Sequence, residues 1–279
     1  MTLAPNFDFS QSNLQDYVDC PYRFYLRYIM HTKWPALMVD DAFEFEQRGQ
    51  AGARYHRLIQ QYLLGVPEER VNELAQSDPD AEIKLWWHNF LEFAAPLLVG
   101  QKFVEISLNT ALAGHRLVAK YDLILDAGND HWIIYDWKTS QKKPRSEWMV
   151  QRIQTRLYRF VLVEAIASLS PGVKINAEQV TMNYWFANHP QTPLSLPYTE
   201  EDYRKDHTYF SDLIAEIKNK APKDFIRTSD LKQCRYCVYR SHCDRGVQAG
   251  DLETFEDFGL QPEDFELDVS FEDIAEIKF

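Results

Sequence analysis

The chain sets Asp136 and Lys138 two residues apart, at the end of the apolar run 131–135 (HWIIY). Side chains alternate between faces along a strand, so these two point the same way and Trp137 points the other. Water holds a carboxylate and an ammonium strongly, and ending an apolar strand with both costs free energy unless they pair or bind something. A carboxylate can hold a hard cation, and a fixed ammonium beside it suits phosphate-ester chemistry. The competing reading is an ordinary buried ion pair. Asp-x-Lys is common by chance, so the chemistry depends on what other elements bring to it.

Residues 41–64 predict a helix with Gly49, Gly52, His56, Ile59 and Leu63 on one face. A glycine inside a helix costs about 1 kcal/mol relative to alanine. Close approach to a sheet is a good reason to keep two, and it would hold His56 against the strands; otherwise His56 is a satisfied core histidine.

Strands are predicted over 102–109, 115–126 and 131–139, the last two joined by a turn through Gly128-Asn129-Asp130. Register decides whether Asp122 joins Asp136. A two-residue loop pairs Asp122 with Tyr135 and puts the aspartates on opposite faces. A three-residue loop, 128–130, pairs Asp122 with Asp136 directly. We expect this odd loop, with one residue in the left-handed region and a bulge. Two carboxylates forced together repel, and a divalent cation removes that cost. Two aspartates, a backbone carbonyl and an imidazole on Mg2+ leave positions for water and phosphate, with histidine favouring Mn2+ somewhat.

Residues 10–30 predict a short helix to Asp19, a break at Cys20-Pro21 and a second short helix through Ile29. Tyr22, Phe24, Tyr25 and Tyr28 make the second one sticky, for the core or for stacking on a base. An aromatic helix is expected over 81–98, a long amphipathic helix over 147–169, a strand over 178–188, and a helix from Thr199 to about Lys220. This order predicts an α/β fold, a mixed sheet flanked by helices. On the 147–169 helix, Gln154 and Tyr158 share the inward face. Arg152, Arg156 and Arg159 lie nearly opposite and are expected in solvent. Lys142, Lys143 and Arg145, just past the Asp136 strand, are better placed to meet a backbone phosphate.

With 45% hydrophobic residues in 279, the chain has a real core. No apolar run reaches a membrane span, and no basic-then-apolar leader begins the chain, so a cytoplasmic protein is expected. The net charge of −12 argues at first against a polyanionic partner, but from Asp251 onward eleven acids face Lys278 alone, −10 of that total. Residues 1–250 are left near −2, and a local basic groove is possible. The acidic segment 246–279 reads as a solvated tail, a dock for a partner protein, or a DNA-mimicking inhibitor. Phe255, Phe258, Phe265 and Phe271 interleave with its acids.

Cys20 stands alone, while Cys234, Cys237 and Cys243 form C-x2-C-x5-C. Without an export signal this points to a metal or cluster site over disulfides, and the spacing leaves tetrahedral Zn2+ open.

Taken in order, Gly52-x-x-x-His56, Asp122 in Tyr121-Asp-Leu-Ile124, Asp136-Trp-Lys138 and Gln154-x-x-x-Tyr158 resemble the RecB-like branch of the PD-(D/E)XK nuclease superfamily. Cys20 in Cys-Pro-Tyr-Arg-Phe, with the three later cysteines, resembles the [4Fe-4S] staple of AddB-type and CRISPR-associated members. The resemblance runs from Leu14 to about Cys243. It implies a restriction-endonuclease-like core in a nuclease domain over 1–245, clasped by a cluster joining 1–30 to 225–245. It implies His56, Asp122, Asp136 and the Trp137 carbonyl as Mg2+ or Mn2+ ligands, and Lys138 as the catalytic lysine. Gln154 and Tyr158 would orient the metal shell or the DNA. The implied activity is hydrolysis of DNA, as an exonuclease on single strands or ends in repair, recombination or defence, with a helicase as a possible partner. The competing role is a DNA-binding or assembly module of a helicase–nuclease or spacer-acquisition complex. The chain departs from the pattern in having Asp136 where many relatives have glutamate, and Lys120-Tyr121 where a glycine often precedes the aspartate.

Overall fold

The computed structural model describes residues 3–33, 37 and 39–252. Nearly all of the acidic tail, with its four phenylalanines, lies outside the described residues. In chain order the elements are β1 (Asp8–Phe9), α1 (Gln11–Asp19), α2 (Pro21–Phe24), α3 (Ala42–Leu63), α4 (Glu68–Ser77), α5 (Ala81–Asn89), β2 (Gln101–Leu112), β3 (His115–Asp126) and β4 (Trp132–Lys138). They continue as α6 (Ser146–Gln151), α7 (Ile153–Ala165), β5 (Val180–Phe186), β6 (Leu194–Pro197) and α8 (Glu200–Asn219). No helix among the described residues is long and apolar enough to cross a membrane.

Local signals account for most of these boundaries. The Asp41 side chain accepts the Glu44 N–H at 2.8 Å and starts α3, and Thr199 accepts from Asp202 at 3.1 Å to start α8. Pro21 opens α2, which runs on through a π-helical turn to Ile29. The aromatic residues of that segment pack inward: Phe24 is fully buried and stacks against Phe225, as Tyr25 also does.

The strands form one six-stranded mixed sheet. β2 and β3 form a long antiparallel hairpin closed at Leu112 and His115 by the two-residue turn Ala113-Gly114, both at positive φ. β4 runs antiparallel to β3 and parallel to β5, and β6 closes the far edge antiparallel to β5. The short β1 runs parallel to β3 at Arg116 and Leu117. Because β2 occupies one edge of β3 throughout, β1 and β4 must share the other. Residues 118–122 of β3 lie in the fork between them.

Helices cover both faces. On one side α1, α7 and α8 pack on Leu117, Ala119, Tyr121, Ile134, Met182, Tyr184 and Phe186. On the other, α3, α4 and α5 pack on Leu123, Leu125, Tyr135, Trp137 and Trp185. The result is a mixed α/β fold consistent with a restriction-endonuclease-like core. Trp137 sits in the second core, its ring 5.5 Å from Phe90 edge to face, a contact contributing about 0.5–1.5 kcal/mol beyond its burial.

Three short elements escape a periodicity reading: β1, the edge strand β6 with its terminal proline, and α4. Helix α4 follows Pro67 as its N-cap and buries Val71 and Ala75, one turn apart. The predicted 147–169 helix is two helices. Arg152 has ψ of 141° and separates α6 from α7, and the Thr155 hydroxyl donates to the Met149 carbonyl at 2.5 Å, taking the place of a helical N–H. The three arginines expected in solvent are also corrected. Arg159 is 3% exposed and donates to the Pro197 carbonyl at 2.9 Å; Arg156 pairs with Asp206 at 2.6 Å; Arg152 is half-buried. The outer side of α7 is covered by α8 and β6, which the periodicity of α7 by itself does not reveal.

Candidate active site

The β3–β4 connection has the odd length that the aspartates require. Asp126 pairs with Trp132, and the Ala127 N–H donates to the His131 carbonyl at 2.9 Å, leaving Gly128, Asn129 and Asp130 as the loop. All three have positive φ (77°, 52° and 58°), where one left-handed residue was expected. Gly128 takes this conformation without penalty, and Asn and Asp are the side chains that tolerate it best.

Counting back, Leu123 pairs with Tyr135, so the register places Asp122 opposite Asp136. The ladder stops one step earlier. Instead of continuing it, the Trp137 N–H donates to Asp122 Oδ2 at 2.9 Å. The carboxylate therefore lies on the split edge of the sheet, within reach of both helical layers.

From α3, one turn past the buried Gly52, the half-buried His56 reaches this edge. Its Nε2 donates to the Trp137 carbonyl at 3.0 Å, and its Nδ1 lies 3.4 Å from Asp122 Oδ1. Burial would raise the Asp122 pKa. The His56 ring, the Trp137 N–H and Lys138 overcome it and hold the carboxyl below its ordinary range.

From the other side, α7 holds Asp136. Gln154 Nε2 donates to Asp136 Oδ1 at 2.6 Å, and Lys138 Nζ lies 2.9 Å from Asp136 Oδ2. Asp136 and Lys138 are 5% and 3% exposed, so this pair is largely shielded from water. Lys138 Nζ also lies 5.9 Å from the centre of the Tyr184 ring. Tyr158, one turn past Gln154, is buried; its hydroxyl pKa is raised well above the ordinary value by burial and then by Asp136 and Asp122, so it remains a neutral donor. The Tyr121 hydroxyl donates to the Tyr158 carbonyl at 2.8 Å, fixing α7 to β3.

Sequence reasoning missed Glu105. It lies on β2 between Val104, which pairs with Leu123, and Ile106, which pairs with Tyr121, so it stands opposite Asp122. It has φ of 50° inside a strand, a conformation that costs an L-residue energy. One ligand atom each of His56, Glu105 and Asp122 lie within 4.8 Å of one another. Burial and then the Asp122 charge push the Glu105 carboxyl upward, against Lys120, whose Nζ is 3.4 Å away. Lys120, the unexplained departure, thus faces Glu105. A register count from the Ala113-Gly114 turn reaches Glu105 once Asp122 is chosen.

The donor set fits a hard divalent ion. It offers an imidazole, two carboxylates and the Trp137 carbonyl, with charge to balance a dication. Gln154 is 5% exposed, and its Oε1 has no hydrogen-bond partner among the described residues, so a buried acceptor waits beside Asp136. Asp136, placed with the ligands by the resemblance, has both oxygens engaged by Gln154 and Lys138 and is outside the group of three.

Lys142, Lys143 and Arg145 are exposed in the loop after β4, and Lys143 Nζ donates to the Thr192 carbonyl at 2.5 Å. The four cysteines are free thiols that line one cavity together with Arg23, Arg227, Arg240 and Arg245. No three of their sulfurs lie within 4.8 Å of one another. Burial raises the thiol pKa values of Cys234, Cys237 and Cys243, the last to about 11. Arg23, on α2, is held by Asp16 at 2.9 Å and Asp19 at 2.5 Å.

No curated protein matches the chain. Among solved structures, a candidate exonuclease from Eubacterium rectale superimposes with a TM-score of 0.47 at 10% identity, covering 76% of this chain and 81% of its own. The protein SSO0001 gives a TM-score of 0.36 at 15% identity, covering 85% of each chain. The sequence profile of one family matches residues 8–244: the chain belongs to the PD-(D/E)XK nuclease superfamily.

Proposed function

We propose that the protein is a metal-dependent deoxyribonuclease of the RecB-like branch, acting as an exonuclease on single-stranded DNA or DNA ends in repair, recombination or defence. The observation that carries this reading is the arrangement about Trp137. His56 and Asp122 hold its backbone, and its two neighbours in the strand, Asp136 and Lys138, pair with each other. A chain that only bound DNA would not need a buried lysine–carboxylate pair next to a donor set for a hard cation.

His56, Asp122, Asp136 and the Trp137 carbonyl would hold Mg2+ or Mn2+, which supplies Lewis-acid activation of water and neutralises charge at the phosphate. Asp136 can serve both the ion and its neighbours, because a carboxylate accepts about four hydrogen bonds. Lys138 is positioned by Asp136 to hold the attacking water and to stabilise negative charge on the phosphoryl oxygens. Gln154 orients Asp136, and Tyr158 donates as a neutral hydroxyl. Lys142, Lys143 and Arg145 would meet the backbone phosphates downstream of β4.

The nuclease domain is assigned to residues 1–245, with the cysteine cavity as its clasp. Cys20, Cys234, Cys237 and Cys243 would hold a [4Fe-4S] cluster, in preference to Zn2+, and the four arginines around the cavity complement the negative charge of a thiolate-ligated group. Segment 246–279 is the proposed dock for a helicase or another protein, and the protein is placed in the cytoplasm.

The test is cleavage of end-labelled single- and double-stranded DNA with Mn2+ or Mg2+, beside Asp136→Ala and Lys138→Ala. Metal-dependent cleavage lost in both variants is expected. Full activity in either one overturns the assignment, and folded protein that binds DNA without cutting it favours the assembly module.

A further inference from the structure

We propose that Glu105 is a direct carboxylate ligand of the divalent ion held by His56 and Asp122, so that β2 carries metal-binding chemistry as well as β3 and β4. The inference rests on the site reading above and adds a ligand to it.

The β2–β3 hairpin sets Glu105 opposite Asp122, with regular pairs on either side at Val104–Leu123 and Ile106–Tyr121. Between those pairs the backbone of Glu105 turns to φ of 50°. Its carboxylate then shares a space with Asp122 and the His56 ring, all three donor atoms lying within 4.8 Å of one another. Two ligands of one ion at the Mg2+–O distance of about 2.1 Å lie no more than about 4.2 Å apart, so small side-chain shifts would close the set. An imidazole between two carboxylates is also not a solvated acidic patch: the Glu105 and Asp122 side chains are 19% and 18% exposed. Gln154, whose Nε2 bonds Asp136, also carries a buried Oε1 without a hydrogen-bond partner among the described residues, which calls for a donor such as a metal-bound water.

Lys120 gives the means of telling a ligand from a structural ion pair, since its Nζ lies 3.4 Å from Glu105. If Glu105 serves only to hold Lys120, removing either residue has the same consequence. If Glu105 binds the ion, the Lys120 ammonium competes with the metal, and removing it has the opposite consequence.

The experiment is Mn2+ titration of the full chain by calorimetry and electron paramagnetic resonance, with no DNA present. Wild type is compared with Glu105→Gln, Glu105→Asp, Lys120→Met and Asp122→Asn, each checked for folding by circular dichroism. Thiolates favour softer metals, so Mn2+ reports on the oxygen and nitrogen donors. Mn2+ affinity should fall about ten-fold or more in Glu105→Gln, fall also in Glu105→Asp, and stay level or rise in Lys120→Met. Glu105→Asp, which keeps the charge and shortens the reach, decides the matter if Glu105→Gln does not fold. Wild-type affinity in both Glu105 variants, with binding lost in Asp122→Asn, overturns the Glu105 ligand and leaves the proposed function standing. Equal losses in Lys120→Met and Glu105→Gln also overturn it, in favour of a structural pair. Wild-type affinity in Asp122→Asn overturns the site reading and this inference with it.

Discussion

Asp122 accepts the backbone N–H of Trp137 at 2.9 Å while the carbonyl of that same residue accepts from His56 at 3.0 Å. Both backbone polar groups of Trp137 are thus held by side chains expected to bind the ion. Asp122→Asn keeps an acceptor for the Trp137 N–H but removes the charge. Metal-dependent cleavage should fall about 100-fold or more, with the fold retained. Rates within ten-fold of wild type would remove Asp122 from the metal set.

The same carboxylate sets a pH dependence. Its folded-state pKa is held below the unfolded value, so the stability it contributes is present above about pH 4 and is lost as pH falls through the lower, folded-state value. Metal-free wild type should therefore gain more stability between pH 2 and pH 5 than Asp122→Asn does, measured by urea unfolding. Parallel pH profiles for the two proteins would mean that the folded environment does not favour the charged form.

The buried pair Asp136–Lys138 predicts strong coupling. Removing Lys138 strands a carboxylate that is 5% exposed, so Lys138→Met should cost about 3–5 kcal/mol in metal-free protein. The double variant Asp136→Asn, Lys138→Met should cost less than the sum of the single changes, since it leaves no uncompensated charge. Additive costs in chemical denaturation would show that solvent already screens the two groups.

Much of this site is legible in the sequence because its residues sit on elements long enough to show a period. The shared face of Gly52 and His56 on α3, and that of Asp136 and Lys138 on β4, follow from spacing alone. The odd loop at 128–130 is legible because register has only two outcomes. Glu105 is not, because its role depends on a cross-strand partner and a local backbone turn. The burial of Arg159 is hidden for a similar reason, as it depends on α8 and β6 arriving from later in the chain. Nor does periodicity report that Thr155 ends α6 by bonding Met149. Tertiary neighbours, absent from any local window, decide all three.

The cysteine cavity makes a separate prediction. Burial favours protonated thiols at Cys234, Cys237 and Cys243 in the metal-free state, so loading a thiolate-ligated group must release protons. Anaerobically purified protein should be coloured and contain about four irons per chain, as expected for a [4Fe-4S] cluster. Cys20→Ser should lose the colour and lower the thermal midpoint, since the cluster would tie Cys20, just before α2, to cysteines more than 200 residues away. A colourless protein with one bound zinc would sink the iron–sulfur assignment and leave the clasp.

The register of β3 against β4 makes the sharpest claim, because it is set by loop length. With Gly128, Asn129 and Asp130 in the loop, Leu123 pairs with Tyr135, and Asp122 comes opposite Asp136. Deleting Ala127 keeps the three-residue loop but pairs Asp126 with His131, which leaves β4 in place only by shifting β3 one step. Asp122 would then stand opposite Tyr135, and Leu123 and Leu125 would exchange their helical layer for the one that Ile124 faces. The deletion should abolish Mn2+ binding and cleavage and destabilise the fold. Asn129→Gly, which keeps the loop length and relieves a φ of 52°, should bind Mn2+ normally and stay within about 1 kcal/mol of wild type. Calorimetry with Mn2+ and thermal unfolding of both variants make the comparison. A deletion variant that folds and binds Mn2+ like wild type would mean that the aspartates do not depend on this register for their placement.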